Sequence, residues 1–334
     1  MMKIDQPIRW GILACGGIAR KFADDLAFVS NGYLAAVSSR DITRAEEFAS
    51  HYSKDVKVYG SYEAMLASGE IDVVYIASPH GLHYEHTMLC LDAGLPVLCE
   101  KAFAINSGQV SKMIAKAREK NIFLMEALWT RFHPSIVKLK ELLASGVIGD
   151  ILHLEADFGI KLPYNVEARW FNPYLTGGSL MDIGIYPLFI SKLVLGNPLE
   201  LKATGVLTDS GVDMNCSIVT KYASGATATL FSTFAAQTDT TCTIYGSLGK
   251  IFMHGRFHET KGITLSVYEG ESQVDTVFET ERLGWGYSYE ADAVQADLRA
   301  GKTENAFMTH EFSQELMGLL DQIRAEIGLV YPNE

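Results

Sequence analysis

Cysteine is scarce in this chain, and its spacing points to neither a bridge nor a metal site. Cys15, Cys90, Cys99, Cys216 and Cys242 are odd in number, scattered, and never spaced C-x-x-C. Reduced, mostly buried thiols are expected, and structural zinc is not. Basic charge is also in short supply: 28 Lys and Arg stand against 40 Asp and Glu, a formal charge of −12. Such a surface repels polyanions, which argues against nucleic acid or an anionic membrane as a partner. No run approaches the roughly 18 apolar residues that a membrane helix needs, and the opening residues lack a basic-then-apolar signal pattern, so a cytoplasmic protein is expected. Internal repeats and low-complexity tracts are absent. What remains is 334 residues with 48% hydrophobic and 20% charged content, too long for one comfortable core, which predicts two globular domains.

The stretch Ile8–Val29 organises the first of them. Ile8–Ala14 reads as a buried strand, Cys15-Gly16-Gly17 as a tight turn, and Ile18, Phe22, Leu26 and Val29 as one face of a helix. Strand, turn and helix together place a pyrophosphate on a helix N-terminus, where free N–H groups favour an anion. The fingerprint Gly-x-Gly-x-x-Gly/Ala is met in part, as Ala14-Cys15-Gly16-Gly17-Ile18-Ala19. Ala14 stands where the first glycine belongs, Gly16 where the backbone approaches the phosphates, and Ala19 is small enough for close helix–strand packing. A plain βα turn is the alternative. A second strand, Tyr33–Ser38, ends in Ser38-Ser39-Arg40-Asp41, about 20 residues past the glycines, where an acid would hold the adenosine ribose 2′-hydroxyl. Ser39 and Arg40, with Arg44 one helical turn on, suit a 2′-phosphate instead. NADP(H) is therefore favoured, while Asp41 leaves NAD(H) possible and a solvated loop arginine remains the plain reading.

Ala45, Phe48, Ala49 and Tyr52 mark the next helix, followed by a short strand around 56–59 and a helix around 62–67. Ile71–Ala77 is a continuous apolar run, the pattern of a central parallel strand. It breaks at Ser78-Pro79-His80-Gly81, at the carboxyl end where open α/β sheets bind ligands. His80, His83 and His86 follow at spacing three, but no carboxylate or thiolate set completes a metal site. His80 and His83 are read as cofactor or substrate contacts and His86 as a surface or helix-packing residue. Val97–Glu100 is the next strand, and Lys101 at its end sits where it can hold a substrate hydroxyl or act on a neighbouring acid. Val110, Met113, Ile114 and Ala117 form one more helix and Ile122–Met125 the last strand, so the dinucleotide domain is placed at 1–124 and a second domain at 125–334.

In the second half, Pro134 opens a helix with Ile136, Leu139 and Leu143 on its apolar face. Ile151–Gly159 alternates like a strand and carries Phe158. After the loop Arg169–Pro173, Gly177-Gly178 precede a helix running to about Leu195, in which Asp182 and Tyr186, four apart, share a face. Pro187 removes one N–H from that helix and predicts a kink. Lys202–Leu207, Asp213–Tyr222, Ala226–Phe234, Thr240–Tyr245, Lys250–His254, Ile263–Tyr268 and Asp275–Glu279 are β-patterned runs with short connections, hence a large, mostly antiparallel open sheet. A helix bearing Phe312, Leu316, Leu319, Leu320 and Ile323 covers part of the core. The other face of the sheet carries Tyr222, Thr227, Thr229, Phe231 and Thr233.

Four segments resemble the glucose–fructose oxidoreductase / inositol dehydrogenase / MocA family, and within it the dimeric dihydrodiol dehydrogenase-like branch. They are Arg9–Leu13, Cys99-Glu100-Lys101, Glu126–Phe132 and Gly177–Pro187. The resemblance implies an α/β fold: a doubly wound Rossmann domain followed by an α+β substrate and dimerisation domain. It implies hydride transfer between NAD(P)(H) and a secondary alcohol or hemiacetal of a sugar, polyol or cyclic dihydrodiol, in a homodimer formed through the sheet face. Lys101, Tyr186 and Asp182 are the implied catalytic residues; a phenol needs a nearby ammonium to act as a base near neutral pH. The implied cofactor contacts are Ala14, Gly16, Gly17, Ile18, Ala19, Ser39, Arg40, Arg44, Ser78, Pro79, His80, His83, Glu100 and Lys101. Trp129 and Phe158 become apolar walls against the substrate ring, with ordinary core aromatics as the alternative, and Arg131 and Arg169 join them as substrate contacts. Two departures stand out: Ala102 replaces the family's proline after Lys101, and Ala14 replaces the first fingerprint glycine. A non-catalytic dinucleotide- or sugar-sensing regulator of the same fold and an NAD-dependent glycosidase are the other readings.

Overall fold

The computed structural model describes residues 6–332 and 334. The chain divides into two compact units, Met1–Arg131 with Leu283–Gln314, and Phe132–Arg282 with Glu315–Glu334.

The first unit is built on a six-stranded parallel sheet. Its elements are β1 (Ile8–Leu13), α1 (Gly17–Asp25), β2 (Gly32–Ser38), α2 (Ile42–Ala49), β3 (Lys57–Tyr59), α3 (Tyr62–Leu66), β4 (Val73–Ile76), α4 (His83–Asp92), β5 (Val97–Glu100), α5 (Ser107–Lys120) and β6 (Leu124–Ala127). Strand order β3-β2-β1-β4-β5-β6 reverses direction between β1 and β4, the crevice where doubly wound sheets bind dinucleotides. All four residues of β4 and of β5 are buried, as strands covered on both faces require. Phe22 of α1 stacks on Tyr75 of β4 at 3.7 Å and meets Trp10 of β1 edge-on at 5.2 Å. Ala19, fully buried, lets α1 lie close to the sheet.

The boundary expected after residue 124 is corrected by this division. It falls inside β6, which pairs with β5 and completes the sheet. The chain also returns to the first unit at its far end. The carboxylate of Asp25 accepts the N–H groups of Trp285 (2.8 Å) and Tyr287 (2.7 Å). Asp292 on α8 (Ser288–Arg299) accepts the N–H of Ser30.

In the second unit, α6 (Pro134–Ala144) leads to β7 (Ile151–Gly159), a π-helical turn (Leu180–Gly184) and α7 (Ile185–Leu195). β8 (Glu200–Leu207), β9 (Asp213–Lys221), β10 (Thr227–Thr233), β11 (Cys242–Gly246), β12 (Gly249–Met253), β13 (Gly262–Glu269) and β14 (Ser272–Glu279) complete the sheet, and α9 (His310–Ile327) closes the chain's helices. The eight strands run in the order β14-β13-β12-β11-β7-β10-β9-β8; β7 and β10 are parallel and the other neighbours antiparallel. Helical residues 173–195 have the length and apolarity to cross a membrane, but 83% of that window is buried, and it forms the core helix of this unit. On the sheet's other face, Val219, Thr229 and Glu155 form an exposed cross-strand row. Tyr222, expected on that face, is turned to the core instead, its hydroxyl 2.6 Å from Ser191 Oγ on α7; Thr233 keeps the face of Thr229 but is covered.

Candidate functional site

α1 opens on Gly16, whose backbone is extended (φ −93°, ψ −176°), with no side chain capping the helix and no acid in its first turn. Its leading N–H groups are thus left for an external anion. A Cβ on Gly17 would meet nothing within 4 Å, and one on Gly16 only the Ala77 carbonyl oxygen at 3.9 Å. The protein's own packing does not demand these glycines; the space they leave lies in front of the helix N-terminus, which fits a pyrophosphate held by Gly16, Gly17, Ile18 and Ala19. Ala14 adopts φ 75°, so it takes the left-handed conformation of the glycine it replaces.

At the end of β2, Ser39 is buried and its hydroxyl accepts the Asp41 N–H at 3.2 Å. Asp41 caps α2 by accepting the Thr43 N–H at 3.0 Å and lies 3.9 Å from Arg44 Nε. Arg40 is exposed beside Tyr62 and His86, and the three line a cavity of about 320 Å³ with Gly60 and Ser61. His86 is buried, with Nδ1 2.9 Å from Ser78 Oγ and its ring edge-on to Tyr62. Burial, and then the charge of Arg40, lower its pKa to about 4.

The turn after β4 brings Ser78, Pro79 and the buried His80 together. His83 corrects the sequence reading. It is fully buried, with Nδ1 2.7 Å from the Ala102 carbonyl and Nε2 2.8 Å from that of Ser78. Burial lowers its pKa to about 4. Neutral above that pKa, the ring carries one N–H and donates it to one of these carbonyls, so His83 is a fully buried brace between the two turns rather than a cofactor contact.

Lys101 follows directly on β5, and the bond to Ala102 is cis. Glu100, expected on the cofactor, is buried and accepts the Tyr75 hydroxyl. Beside it, Glu126 of β6 accepts the Phe103 N–H at 3.1 Å, and burial raises its pKa to about 7 against the hydrogen bonds from Ser313 and Phe103 and, more weakly, the charge of Lys101. Trp129 is buried and stacks on Tyr287 at 4.7 Å and 6°. Arg131, read as a substrate contact, lies over the Phe312 ring at 4.2 Å, with Nε and Nη1 buried and unbonded among the described residues.

The second unit gathers the other group. Asp182 lies in the π-turn and Tyr186 in the first turn of α7, both buried. Where a kink at Pro187 is expected, the structure shows a change of helix form, from π to α, between Gly184 and Ile185. A π-turn in a helix is frequently a functional feature. Arg169 Nη2 lies 3.3 Å from Asp182 Oδ2. Phe158 of β7 packs 5.6 Å from the Tyr186 ring. His258, which no motif singled out, stacks on Phe158 at 4.4 Å and lies 4.9 Å from Tyr186. Asp213 was likewise missed, because its partners lie some thirty residues away in the sequence: its Oδ2 accepts Ser179 Oγ–H and the Leu180 N–H, both at 2.7 Å.

A dinucleotide crevice in the first unit and a helix and sheet second unit define a protein of the Rossmann type, and comparison with known proteins identifies its class as oxidoreductase. The family model described as an oxidoreductase family with an NAD-binding Rossmann fold matches residues 8–128, and that of the GFO/IDH/MocA C-terminal domain matches residues 136–252. The chain belongs to the Gfo/Idh/MocA family of oxidoreductases. It is 34% identical to trans-1,2-dihydrobenzene-1,2-diol dehydrogenase of Mus musculus, over 98% of this chain and 99% of that one. It is also 34% identical to D-xylose 1-dehydrogenase (NADP(+)) of Hypocrea jecorina, over 97% of this chain and 93% of the other. Among solved structures, a 3-ketoreductase from Actinomadura kijaniata in complex with NADP and TDP-benzene superposes with a TM-score of 0.87 at 26% identity, covering 96% of this chain and 98% of that one.

Proposed function

We propose that this oxidoreductase transfers a hydride reversibly between NADP(H) and a secondary alcohol or hemiacetal carbon of a sugar, polyol or cyclic dihydrodiol. The observation that carries the reading is the pairing, in one family member, of an uncapped α1 N-terminus with a buried Asp182–Tyr186 turn. The activities of the mouse and Hypocrea relatives support the substrate class, and Ser39 and Arg40 support NADP(H) over NAD(H).

The backbone of Gly16–Ala19 would hold the pyrophosphate, Ser39, Arg40 and Arg44 the 2′-phosphate, and Ser78, Pro79 and His80 the edge of the nicotinamide ribose. When bound, the cofactor supplies or accepts the hydride. The chain's own residues manage the accompanying proton. In the reductive direction the Tyr186 hydroxyl donates its proton to the substrate oxygen, and in the oxidative direction the phenolate takes it back. The family resemblance gives Lys101 the role of favouring that phenolate, and Asp182, held by Arg169, orients the substrate hydroxyl. Phe158 offers an apolar wall to the ring. Two copies associate through the open sheet face, and the protein acts on small molecules in the cytoplasm.

The test is a panel of D-xylose, other aldoses, polyols and trans-1,2-dihydrobenzene-1,2-diol with NADP+ and NAD+, read at the reduced-nicotinamide absorbance band. Turnover with at least one member, faster with NADP+, is expected. Tight NADP+ binding with no turnover on any member would favour the sensing regulator.

A further inference from the structure

The turn that presents Asp182 and Tyr186 does not hold its own shape. Its entry, Gly177-Gly178-Ser179-Leu180, is fixed from outside by a strand and by the C-terminal segment. Asp213, the first residue of β9, is fully buried and accepts both the Ser179 hydroxyl and the Leu180 N–H on one oxygen, Oδ2, at 2.7 Å each. The Ser179 hydroxyl lies 3.0 Å from Ser232 Oγ of β10. Asp213 Oδ1 is buried with no hydrogen-bond partner among the described residues. Gly178, at φ +112°, passes so close that a Cβ there would stand 2.2 Å from that oxygen. Tyr331 donates its hydroxyl to the Gly177 carbonyl at 2.7 Å from the other side.

We propose that Asp213 is a positioning residue: its carboxylate clamps the π-turn that carries Asp182 and leads into Tyr186, and its protonation releases that clamp. The proposal rests on the reading of Tyr186 as the proton donor. The leading N–H of a helical turn and a serine hydroxyl both point at one oxygen, an arrangement made for an anion. A neutral acid serves it worse, because its new O–H finds no acceptor at Oδ1. Burial raises the pKa of Asp213 to about 6, against the hydrogen bonds from Ser179 and Leu180 that hold it down. The groups facing Asp213 are Tyr331, with Arg324 and Glu334 behind it, Cys216 on the same strand, and Asp182 on the turn. Tyr331 is raised well above the ordinary phenol value and Cys216 to about 12, so neither titrates on the acid side. Asp182 is the other carboxylate, and the variants below separate the two.

The first readout is amide hydrogen exchange across residues 180–186 in the full chain, compared at equal pH between wild type and Asp213→Asn. Exchange about tenfold faster in the variant near pH 7 is expected, with the difference shrinking near pH 5, where the wild type is itself released. Equal protection at both pH values overturns the proposal, and this result stands whatever Tyr186→Phe does to turnover. The second readout is the pH profile of kcat. The wild type is expected to lose kcat on the acid side near pH 6, and Asp213→Asn to be slower without that limb, with NADPH affinity by fluorescence titration unchanged. An acid limb retained in Asp213→Asn overturns the proposal. Should Asp213→Asn not fold, Ser179→Ala removes one donor from the charged form and is expected to move the limb to higher pH; an unmoved limb overturns the clamp.

Discussion

Arg169 Nη2 lies 3.3 Å from Asp182 Oδ2, so a half-exposed loop arginine holds a buried acid of the π-turn. A pair of this kind contributes little stability, on the order of 0–1 kcal/mol, but it fixes an orientation. Arg169→Ala is expected to raise KM about tenfold while changing kcat less, as loss of a binding and orienting contact does. Steady-state kinetics check this. A fall in kcat as large as that of Tyr186→Phe would instead make Arg169 part of the proton chemistry.

Cofactor choice turns on Arg40. A charge-assisted hydrogen bond to a 2′-phosphate is worth roughly 1.5–3 kcal/mol, so Arg40→Ala should weaken NADPH about tenfold or more and leave NADH nearly unchanged. Fluorescence titration with both cofactors gives the answer. Equal loss for the two would remove the assignment of Arg40 to the phosphate.

His83 makes stability depend on pH. Its pKa is lowered from 6.5 to about 4 by burial, so between those values the unfolded chain binds a proton that the native chain does not. Stability is therefore present above about pH 6.5 and is lost as pH falls toward about 4, by about 1.4 kcal/mol per pH unit. Urea unfolding of wild type and His83→Gln near pH 7 and near pH 5 is the comparison. The stability of the wild type relative to the variant should fall on acidification; a constant difference would mean that His83 is protonated in the native state.

Much of the fold was legible because buried parallel strands leave continuous apolar runs. Val97–Glu100 was bounded to the residue, and Ile71–Ala77 enclosed β4. The sheet strands of the second unit were found by alternation. α8 left little trace: of its buried residues only Ala291 and Val294 are apolar, against Ser288, Glu290, Gln295 and Asp297, too few to mark an apolar period. The π-turn was hidden because helical spacing is read at 3.6 residues per turn. His83 was misassigned because a histidine at a sheet's carboxyl end looks alike whether its ring faces a ligand or two carbonyls. Asp213 and His258 gain their meaning only from partners far away in sequence.

The exposed row Val219, Thr229 and Glu155 lies on a broad sheet face with Val206 and Val219 each more than half exposed. Apolar side chains grouped on such a face favour association. Light scattering at micromolar protein is expected to give twice the chain mass, and Val219→Glu to shift it toward one. A wild type at a single chain mass would contradict the dimer.

The central proposal is that Tyr186 hands over the proton and that Lys101 is needed for it. The direct measurement is turnover of wild type, Tyr186→Phe, Lys101→Met and the double variant on the best substrate of the panel, with NADPH binding followed in parallel. Each single variant is expected to lose about 10²–10⁴-fold in kcat with NADPH binding intact, and the double variant to be little worse than either, because residues acting as a unit are not additive. Near-normal turnover of Tyr186→Phe, or fully additive losses in the double variant, would contradict the account.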